Sequence, residues 1–416
     1  MTTAGAQRFA RVALRKNLAR SIHAGHPWLY RDALNRDASK INREIPDGAI
    51  VLVTTSDGRP LGRGYWSNQT PIAVRMLVTE AALDIDATVR ERLRSALTQR
   101  LSFIDTNTTS AFRWVHGEAD RLPGLHLDVY GAFASVRFDG AGAEAFYRRF
   151  VDDIISIGAS VDVGVTALVE RRRGAEGRKG GAADGDNDAI AMLAGQPPAG
   201  VQIVRENGLA FEVDLLHGQK GGLFLDQREN RQWVRNASRD KRVLNLFGYT
   251  GGFSVYAAAG GARHTTTVDL AAGAIAAARR NFVLNGFVDE RARDLIASDA
   301  FAFLSLARQK KTRWDFVISD PPSFAPNREA VPEALRAYRR LHRACAEIIL
   351  PGGTFCAASC SSHVTMERFV ESVEAGCAEA GRRFELLERH GAGADHPVAS
   401  HFPEGNYLKF VVGTVR

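Results

Sequence analysis

The stretch Val243-Leu-Asn-Leu-Phe-Gly-Tyr-Thr-Gly-Gly-Phe253 decides the fold. A mostly apolar run enters a turn with three glycines in five positions, and an alanine-rich segment follows. That is a strand passing through a tight loop into a helix. Gly248, Gly251 and Gly252 let the backbone approach a ligand closely before the helix, which the pattern starts at Phe253. Outward from this loop, apolar runs at residues 243–247, 265–270, 295–297, 316–319, 354–359 and 407–412 alternate with helical stretches such as 271–285 and 332–350. From about residue 201 the chain is therefore predicted to form a parallel sheet wrapped by helices. No internal repeat is detected.

In such a sheet, ligands bind outside the carboxyl ends of the strands, where the strand order reverses. The loop supplies Phe247, Gly248, Tyr249, Thr250, Gly251 and Gly252. Asp269 ends the second strand with a carboxylate that can accept from ribose hydroxyls, and Leu270 follows it. A glycine loop with an acid about twenty residues on also suits NAD, but the G-x-G-x-x-G spacing is missing. S-adenosylmethionine, which has no pyrophosphate to cradle, fits better. Asp299, with Ala300 beside it, is placed to accept from an adenine amino group; it also reads as the N-cap of the helix from residue 300, and both roles can hold at once. Gln227 and Arg228 can reach a cofactor carboxylate or a phosphate, with a salt bridge to Glu229 or Asp226 as the equal alternative.

The fourth strand runs into Asp320-Pro-Pro-Ser-Phe324. A carboxylate followed by two prolines makes a stiff, donor-poor loop, in which Pro321, Pro322, Ser323 and Phe324 can hold a flat base. The next strand ends Ala358-Ser-Cys-Ser-Ser-His363. Cys356 falls mid-strand and reads as an inert small hydrophobe, whereas Cys360 falls at the carboxyl end, near Asp320. Carbon 5 of cytosine is a poor nucleophile until a thiolate adds at carbon 6, so that chemistry requires a cysteine at this edge. Cys360 is read as the nucleophile and Asp320 as the acid at the polar edge of a flipped-out base. His363 is a helper or a surface histidine.

The chain has 416 residues, enough for two or three domains. With 45% apolar and 24% charged residues it excludes large-scale disorder, collagen and coiled coil. No apolar run reaches the length of a membrane span and residues 1–30 contain no secretion-signal pattern, so a cytoplasmic protein is expected. Four cysteines, Cys345, Cys356, Cys360 and Cys377, fit neither a disulfide framework nor a zinc-ligand pair; no metal site is expected. The net charge of +7 sits in the first hundred residues, with 16 Lys and Arg against 9 Asp and Glu. Arg11, Arg15 and Lys16 lie in an acid-free stretch that suits RNA phosphates, with an organellar transit peptide or a solvated basic face as alternatives. Runs at 50–54, 61–66 and 72–78 predict a small barrel or sheet, residues 84–103 a helix, and 132–138 and 162–169 strands. Residues 171–200, with seven glycines, read as a mobile loop, either a plain flexible insertion or one that touches RNA through its basic start.

Taken together, the motifs resemble those of the bacterial 23S rRNA (cytosine-5)-methyltransferase I family over nearly the whole chain. The resemblance rests on Gly25-His-Pro-Trp-Leu-Tyr30, His116-Gly-Glu-Ala-Asp-Arg-Leu-Pro-Gly-Leu125, Gly218-Gln-Lys-Gly-Gly-Leu-Phe-Leu-Asp-Gln-Arg-Glu-Asn-Arg231, Tyr249-Thr-Gly-Gly-Phe253, Asp320-Pro-Pro-Ser-Phe324, Ser359-Cys-Ser361, Asp395-His-Pro-Val398 and Phe402-Pro-Glu404. It implies an α/β fold: a C-terminal Rossmann-like class I methyltransferase sheet (201–416), an N-terminal small β-rich PUA-like barrel (1–78) and a middle α+β domain (79–200). It also implies S-adenosylmethionine as donor, 23S rRNA or a large-subunit assembly particle as partner, and Cys360 as nucleophile. A homodimer is compatible with this reading. Placing Gly25–Tyr30 inside a folded domain argues against a cleaved transit peptide. The chain departs from the family at Gly221, where threonine is usual, in the long 171–200 segment, and in having no cysteine beside Asp320, so product release cannot use a second thiol there. By themselves, His26, Pro27 and Trp28 also read as a core turn, and Glu118-Ala-Asp120 with Pro123-Gly124 as a hairpin turn. Two rival functions keep part of the pattern: methylation of a purine nitrogen, which needs no thiol, and an RNA-binding or ribosome-assembly module with a decayed catalytic half. The intact glycine loop, Asp269 and Asp320 argue against the second.

Overall fold

The structure is a computed structural model that describes residues 9–35, 45–80, 83–160, 163–172, 189–218 and 222–416. The chain forms two compact units: residues 1–106, 110–199 and 397–405 make the first, and residues 107–109, 200–396 and 406–416 the second.

In the first unit, β1 (Ala10–Ala13), α1 (Ala19–His23), β2 (Trp28–Tyr30), β3 (Ile50–Thr54), β4 (Pro60–Trp66) and β5 (Ile72–Val78) come first. Their strands form a sheet ordered β1-β3-β4-β5-β2, parallel only between β1 and β3. Two of the three expected strands match to the residue, and the third begins one residue early, at Pro60. Then come α2 (Ile85–Leu101), β6 (Ala111–His116), β7 (Leu125–Tyr130), β8 (Phe133–Phe138), α3 (Ala141–Tyr147), α4 (Val151–Ala159), β9 (Ala167–Arg172) and β10 (Ala189–Ala194). The second sheet is ordered β10-β9-β8-β7-β6. Helix α2 starts where the Asp84 carboxylate accepts from Asp86 N at 2.8 Å and Ala87 N at 3.2 Å. Its stripe of Val89, Leu93 and Leu97 is buried with Trp114, Leu125 and Leu127, and with Tyr65 and Leu77 of the first sheet.

Two expectations need correction. The strand expected at 162–169 is Ala167–Arg172, because Gly164 at φ 62° breaks the extended backbone before it. The loop expected at 171–200 loses its start and an inner stretch: Arg171 and Arg172 belong to β9, and Ala189–Ala194 pairs antiparallel with it. Residues 173–188 lie outside the described residues. The 117–120 segment is more than a turn. Asp120 receives a two-pronged ion pair from Arg100 (2.6 and 2.8 Å) and the His116 N–H, while Glu118 accepts from Trp28 Nε1 at 2.7 Å. His26 and Trp28 lie against Phe402, the latter with ring centroids 4.6 Å apart; of the expected core turn only Pro27 is buried, and Trp28 opens β2.

The second unit opens with the antiparallel hairpin β11 (Gln202–Glu206) and β12 (Leu209–Val213). Sequence reasoning passed over it, although Asn207-Gly208, both at positive φ, is the standard two-residue hairpin signal. There follow α5 (Arg228–Ala237), β13 (Arg242–Leu246), α6 (Gly252–Ala259), β14 (His264–Asp269), α7 (Ala272–Leu284), β15 (Arg293–Ala297), α8 (Ala300–Gln309) and β16 (Trp314–Ser319). The unit closes with α9 (Val331–Ala346), β17 (Ile349–Ser359), α10 (Met366–Glu379), β18 (Phe384–His390) and β19 (Lys409–Val415). The sheet order is β15-β14-β13-β16-β17-β19-β18, and the order reverses between β13 and β16. Five strands are parallel, as expected; β19 runs antiparallel to β17 and β18, so the sheet is mixed. Strand β18 was missed because its charged, half-exposed residues lack a buried strand's apolar run. The helix expected at 332–350 stops at Ala346, since Ile349 pairs with Trp314 to begin β17. Side chains alternate between two cores. Val317, Phe355, Ala357 and Val411 pack under α8, α9 and α10, while Phe316, Ile318, Cys356 and Val412 pack under α5 and α6. The unit is a Rossmann-like α/β fold. Among the described residues no helix is long and apolar enough to cross a membrane.

Removing one partner of the buried Arg100–Asp120 pair leaves an uncompensated charge, a cost of about 3–5 kcal/mol. Asp120→Ala is therefore expected to lower the urea midpoint of the first unit by about 1 M or more, read by circular dichroism with limited proteolysis to assign the unit. A shift of a few tenths of that would mean the pair carries no such burden.

Candidate cofactor and target site

The strand-order reversal puts the tips of β13, β14, β15, β16 and β17 on one edge. At the tip of β13, Phe247 (φ 57°), Tyr249 (φ 47°) and Gly251 (φ 81°) all adopt left-handed backbone. For the two aromatic residues this costs about 1–2 kcal/mol each, and such strain persists where surroundings enforce it. Here the enforcing group is Asp269. One carboxylate oxygen accepts from Tyr249 N at 2.8 Å and the other from Ala271 N at 2.9 Å. Thr250 is pinned from both sides, its hydroxyl donating to Gly222 O at 3.1 Å and its carbonyl accepting from Asn281 Nδ2 at 2.9 Å. Phe224 stands edge-on to Tyr249 with centroids 5.4 Å apart. Gly248 has no room for a side chain: a Cβ there would lie 2.5 Å from Thr267 Cγ2 and 3.0 Å from Asn245 Nδ2. The loop is thus a thin, rigid backbone surface, which suits close approach by S-adenosylmethionine. Leu270, 70% exposed beside the Asp269 tip, offers apolar cover for a flat ring.

Asp299 caps α8, its carboxylate accepting from Ala302 N at 2.9 Å, with Ala300 buried behind it. The capping role is therefore realised. Gln227 does not face a salt bridge: its Nε2 donates to Asp320 Oδ2 at 3.0 Å, and its Oε1 accepts from Asn230 Nδ2 at 2.6 Å. The amide is oriented from behind and orients Asp320 in turn. Arg228 pairs with Glu229 as weighed from sequence, and also with Asp395, each at 2.9 Å. Burial alone would raise the Asp395 carboxyl, but His396 and Arg228 together hold it well below the usual carboxylate range. Its ion pair is fully present above that range and lost only as strongly acid pH protonates it.

At the tips of β16 and β17 the Asp-Pro-Pro loop and the Ser-Cys-Ser segment meet. Ser323 Oγ and Ser361 Oγ are 3.1 Å apart, and Tyr338 OH lies 2.9 Å from both Ser359 Oγ and Ser361 Oγ. Cys360, between those serines, is half-buried, whereas Cys345, Cys356 and Cys377 are buried. Burial pushes the Cys356 thiol well up, in keeping with an inert residue. Pro321 is buried and Pro322 and Ser323 are exposed; Phe324 is half-buried, its ring 4.8 Å from Tyr338. Much of the Phe324 ring is thus engaged in packing. His363 is exposed. Arg11, Arg15 and Lys16 belong to the first unit. Arg11 is exposed on β1, but Arg15 donates to Asp32 O at 2.9 Å and Lys16 pairs with Asp32 at 2.6 Å. Sequence reasoning missed Tyr338, Asn230, Asn281 and Lys409 at the site: Asn230 stands within the 218–231 motif without being singled out, and the other three lie in segments without motif character, so only three-dimensional pairing brings them in.

Gly248→Ala is expected to raise the dissociation constant for S-adenosylhomocysteine at least about tenfold, measured by calorimetry with the circular dichroism unchanged. Adding Thr267→Ser, which removes the methyl the new Cβ meets, should restore part of it. Unchanged affinity in the single variant would remove this loop from the cofactor site.

Residues 183–398 match the family described as S-adenosylmethionine-dependent methyltransferase, and residues 12–79 that described as PUA-like domain. Proteins named ribosomal RNA large subunit methyltransferase I from Alteromonas mediterranea and Aeromonas salmonicida are each 33% identical to this chain over 404 and 407 residues. Each alignment covers 97% of this chain, and 98% and 99% of theirs. Among solved structures, an S-adenosylmethionine-dependent methyltransferase from Streptococcus mutans is similar at TM-score 0.79 and 25% identity, over 98% of this chain and 100% of that one. A methyltransferase solved with S-adenosylhomocysteine is similar at TM-score 0.79 and 26% identity over the same shares. Likeness that runs the length of both chains settles the lineage: the chain belongs to the ribosomal RNA large subunit methyltransferase I family.

Proposed function

We propose that the chain methylates carbon 5 of a cytosine in 23S rRNA, free or within a large-subunit assembly particle, with Cys360 as covalent nucleophile. The observation that carries this reading is the placement of Cys360. It is half-exposed at the tip of β17, the strand beside β16, whose tip carries Asp320. A methyltransferase acting on a purine nitrogen needs no thiol at that edge.

The thiolate of Cys360 adds to carbon 6 of the extruded base, and the electron pair of the C5–C6 double bond becomes available at carbon 5. Asp320, oriented by Gln227, acts in its protonated form as the acid that donates to the polar edge where negative charge accumulates. S-adenosylmethionine supplies an electrophilic methyl group on a sulfonium. Loss of the proton on carbon 5 then rebuilds the double bond and expels the Cys360 thiolate. The extrusion costs a few kcal/mol of unstacking, least in a single-stranded loop.

The substrate class comes from the relatives' name and from the basic first hundred residues, whose exposed Arg11 suits phosphate contact. Since Arg15 and Lys16 each bond to Asp32, they are held in place as a small cationic platform, not as loose charges.

Two outcomes are expected. Cys360→Ala should lose methyl transfer altogether while still binding S-adenosylhomocysteine, and the unaltered chain should form a denaturant-stable adduct with 5-fluorocytidine RNA, whose carbon 5 has no proton to release. Turnover by Cys360→Ala would turn the reading towards nitrogen methylation. Reversing Arg11, Arg15 and Lys16 to Glu should weaken RNA binding and flatten its salt dependence by about 0.7–0.9 in log–log slope per lost contact; an unchanged slope would take that surface out of the footprint.

A further inference from the structure

Lys409 opens β19 and is the register partner of Ser359 at the end of β17. It is 2% exposed, yet its Nζ donates only to main-chain oxygens, those of Ser361 at 2.6 Å and Tyr407 at 2.7 Å. Among the described residues no carboxylate lies within ion-pair distance of it, and one of its three N–H groups makes no hydrogen bond. A buried ammonium without an anionic partner is costly and is kept only where an opposite charge arises. The charge within its reach belongs to Cys360, the residue enclosed by Ser359 and Ser361.

We infer that Lys409 is a positioning residue for Cys360: its ammonium, clamped by two carbonyls behind the β17 tip, is the counter-charge that holds the thiol as thiolate before it attacks. This rests on the reading of Cys360 as nucleophile. Burial draws the Lys409 amine down to about 8, and the Cys360 charge opposes that fall. The coupling is mutual, so the cation favours the thiolate to the degree that the thiolate favours the cation. Among the described residues, titratable groups on the elements beside the pair include Tyr338 on α9, Tyr407 ahead of β19, Asp226 ahead of α5 and Asp320 at the end of β16; on β18, Arg389 and His390 pair with Val411 and Phe410. Tyr338, raised by burial, is neutral at physiological pH, and Asp226 is engaged by the Tyr407 hydroxyl at 2.7 Å. Lys409 is thus the buried cation tied directly to the segment that carries the thiol.

The test is the pH dependence of Cys360 alkylation by iodoacetamide in the full-length chain, with Cys360→Ser as the blank. Lys409→Met should move the midpoint up by one pH unit or more and lower kcat at least tenfold at neutral pH, with the RNA KM and the S-adenosylhomocysteine affinity within twofold. Lys409→Arg, which keeps the charge, should recover most of the midpoint shift. A midpoint unmoved in Lys409→Met overturns the proposal. If that variant does not fold, the native chain decides: a Cys360 midpoint at or above the ordinary thiol value of about 8.5 overturns it, and a lower one supports it. Turnover by Cys360→Ala would instead overturn the nucleophile and leave the charge coupling, read by alkylation, standing or falling separately.

Discussion

One buried residue, Ser361, joins the two strand tips on which the proposed chemistry depends. Its hydroxyl meets Tyr338 of α9 and Ser323 of the Asp-Pro-Pro loop, its N–H donates to Ser359 Oγ, and its carbonyl takes the Lys409 ammonium. Ser361, Ser359, Tyr338 and Lys409 are all buried, so leaving one of these groups without its partner would cost about 1–3 kcal/mol and not merely the net worth of a hydrogen bond. The consequence is geometric. Cys360 is fixed between two serines that are themselves fixed, and the loop carrying Asp320 is held at the same depth by Ser323. A hydrophobic contact could give comparable stability without choosing one register between the loops. The hydroxyl network chooses it.

The cofactor edge obeys the same logic with charge in place of hydroxyls. The two strained aromatic residues of the glycine loop are maintained because Asp269 holds Tyr249 N and Ala271 N together, so the loop and the β14 tip move as one piece. Behind it, Arg231 forks onto the fully buried Glu206 at 2.8 and 2.7 Å, and Tyr256 donates to the same carboxylate at 2.9 Å. Arg228 reaches Asp395 across the unit. Buried ion pairs are weak evidence for stability, since desolvation offsets most of their attraction. Their effect here is to set the orientation of α5, whose N-cap residue Gln227 meets Asp320.

What was legible in the sequence follows from the distance over which each feature is encoded. The glycine loop, the Asp269 tip, the Asp299 cap and the Asp-Pro-Pro loop are each written within a few consecutive residues, and the strands around them repeat an apolar period that needs no partner to be read. Arg228 and Asp395 are 167 positions apart, and Gln227 and Asp320 are 93 apart, so nothing local links them. The Arg228 alternative weighed from sequence named Glu229 because neighbours are what a sequence displays; the deeper partner appears only when the chain returns. Phe324 illustrates the opposite error. Its motif position suggests an open platform, but α9 packs Tyr338 against it. The hairpin at residues 202–213 was legible through Asn207-Gly208, yet it was passed over although the domain start was placed at residue 201.

The mixed character of the sheet has a functional consequence. In a wholly parallel sheet every strand brings its carboxyl end to the ligand edge, so the site can draw only on strand ends and the loops that follow them. Strand β19 runs the other way, and its register with β17 sets Lys409, its first residue, opposite Ser359, the last residue of β17. An amino-terminal strand residue thereby reaches the edge from within the sheet, buried on both faces and unable to swing away, as a loop lysine would. The same antiparallel pairing continues for seven residue pairs, from Ser359↔Lys409 to Gly353↔Val415. A slip of one residue would turn Lys409 to the other face and carry Val411, Phe410 and Val412 out of their separate cores. The packing that fixes the last strand therefore also fixes the charge behind Cys360.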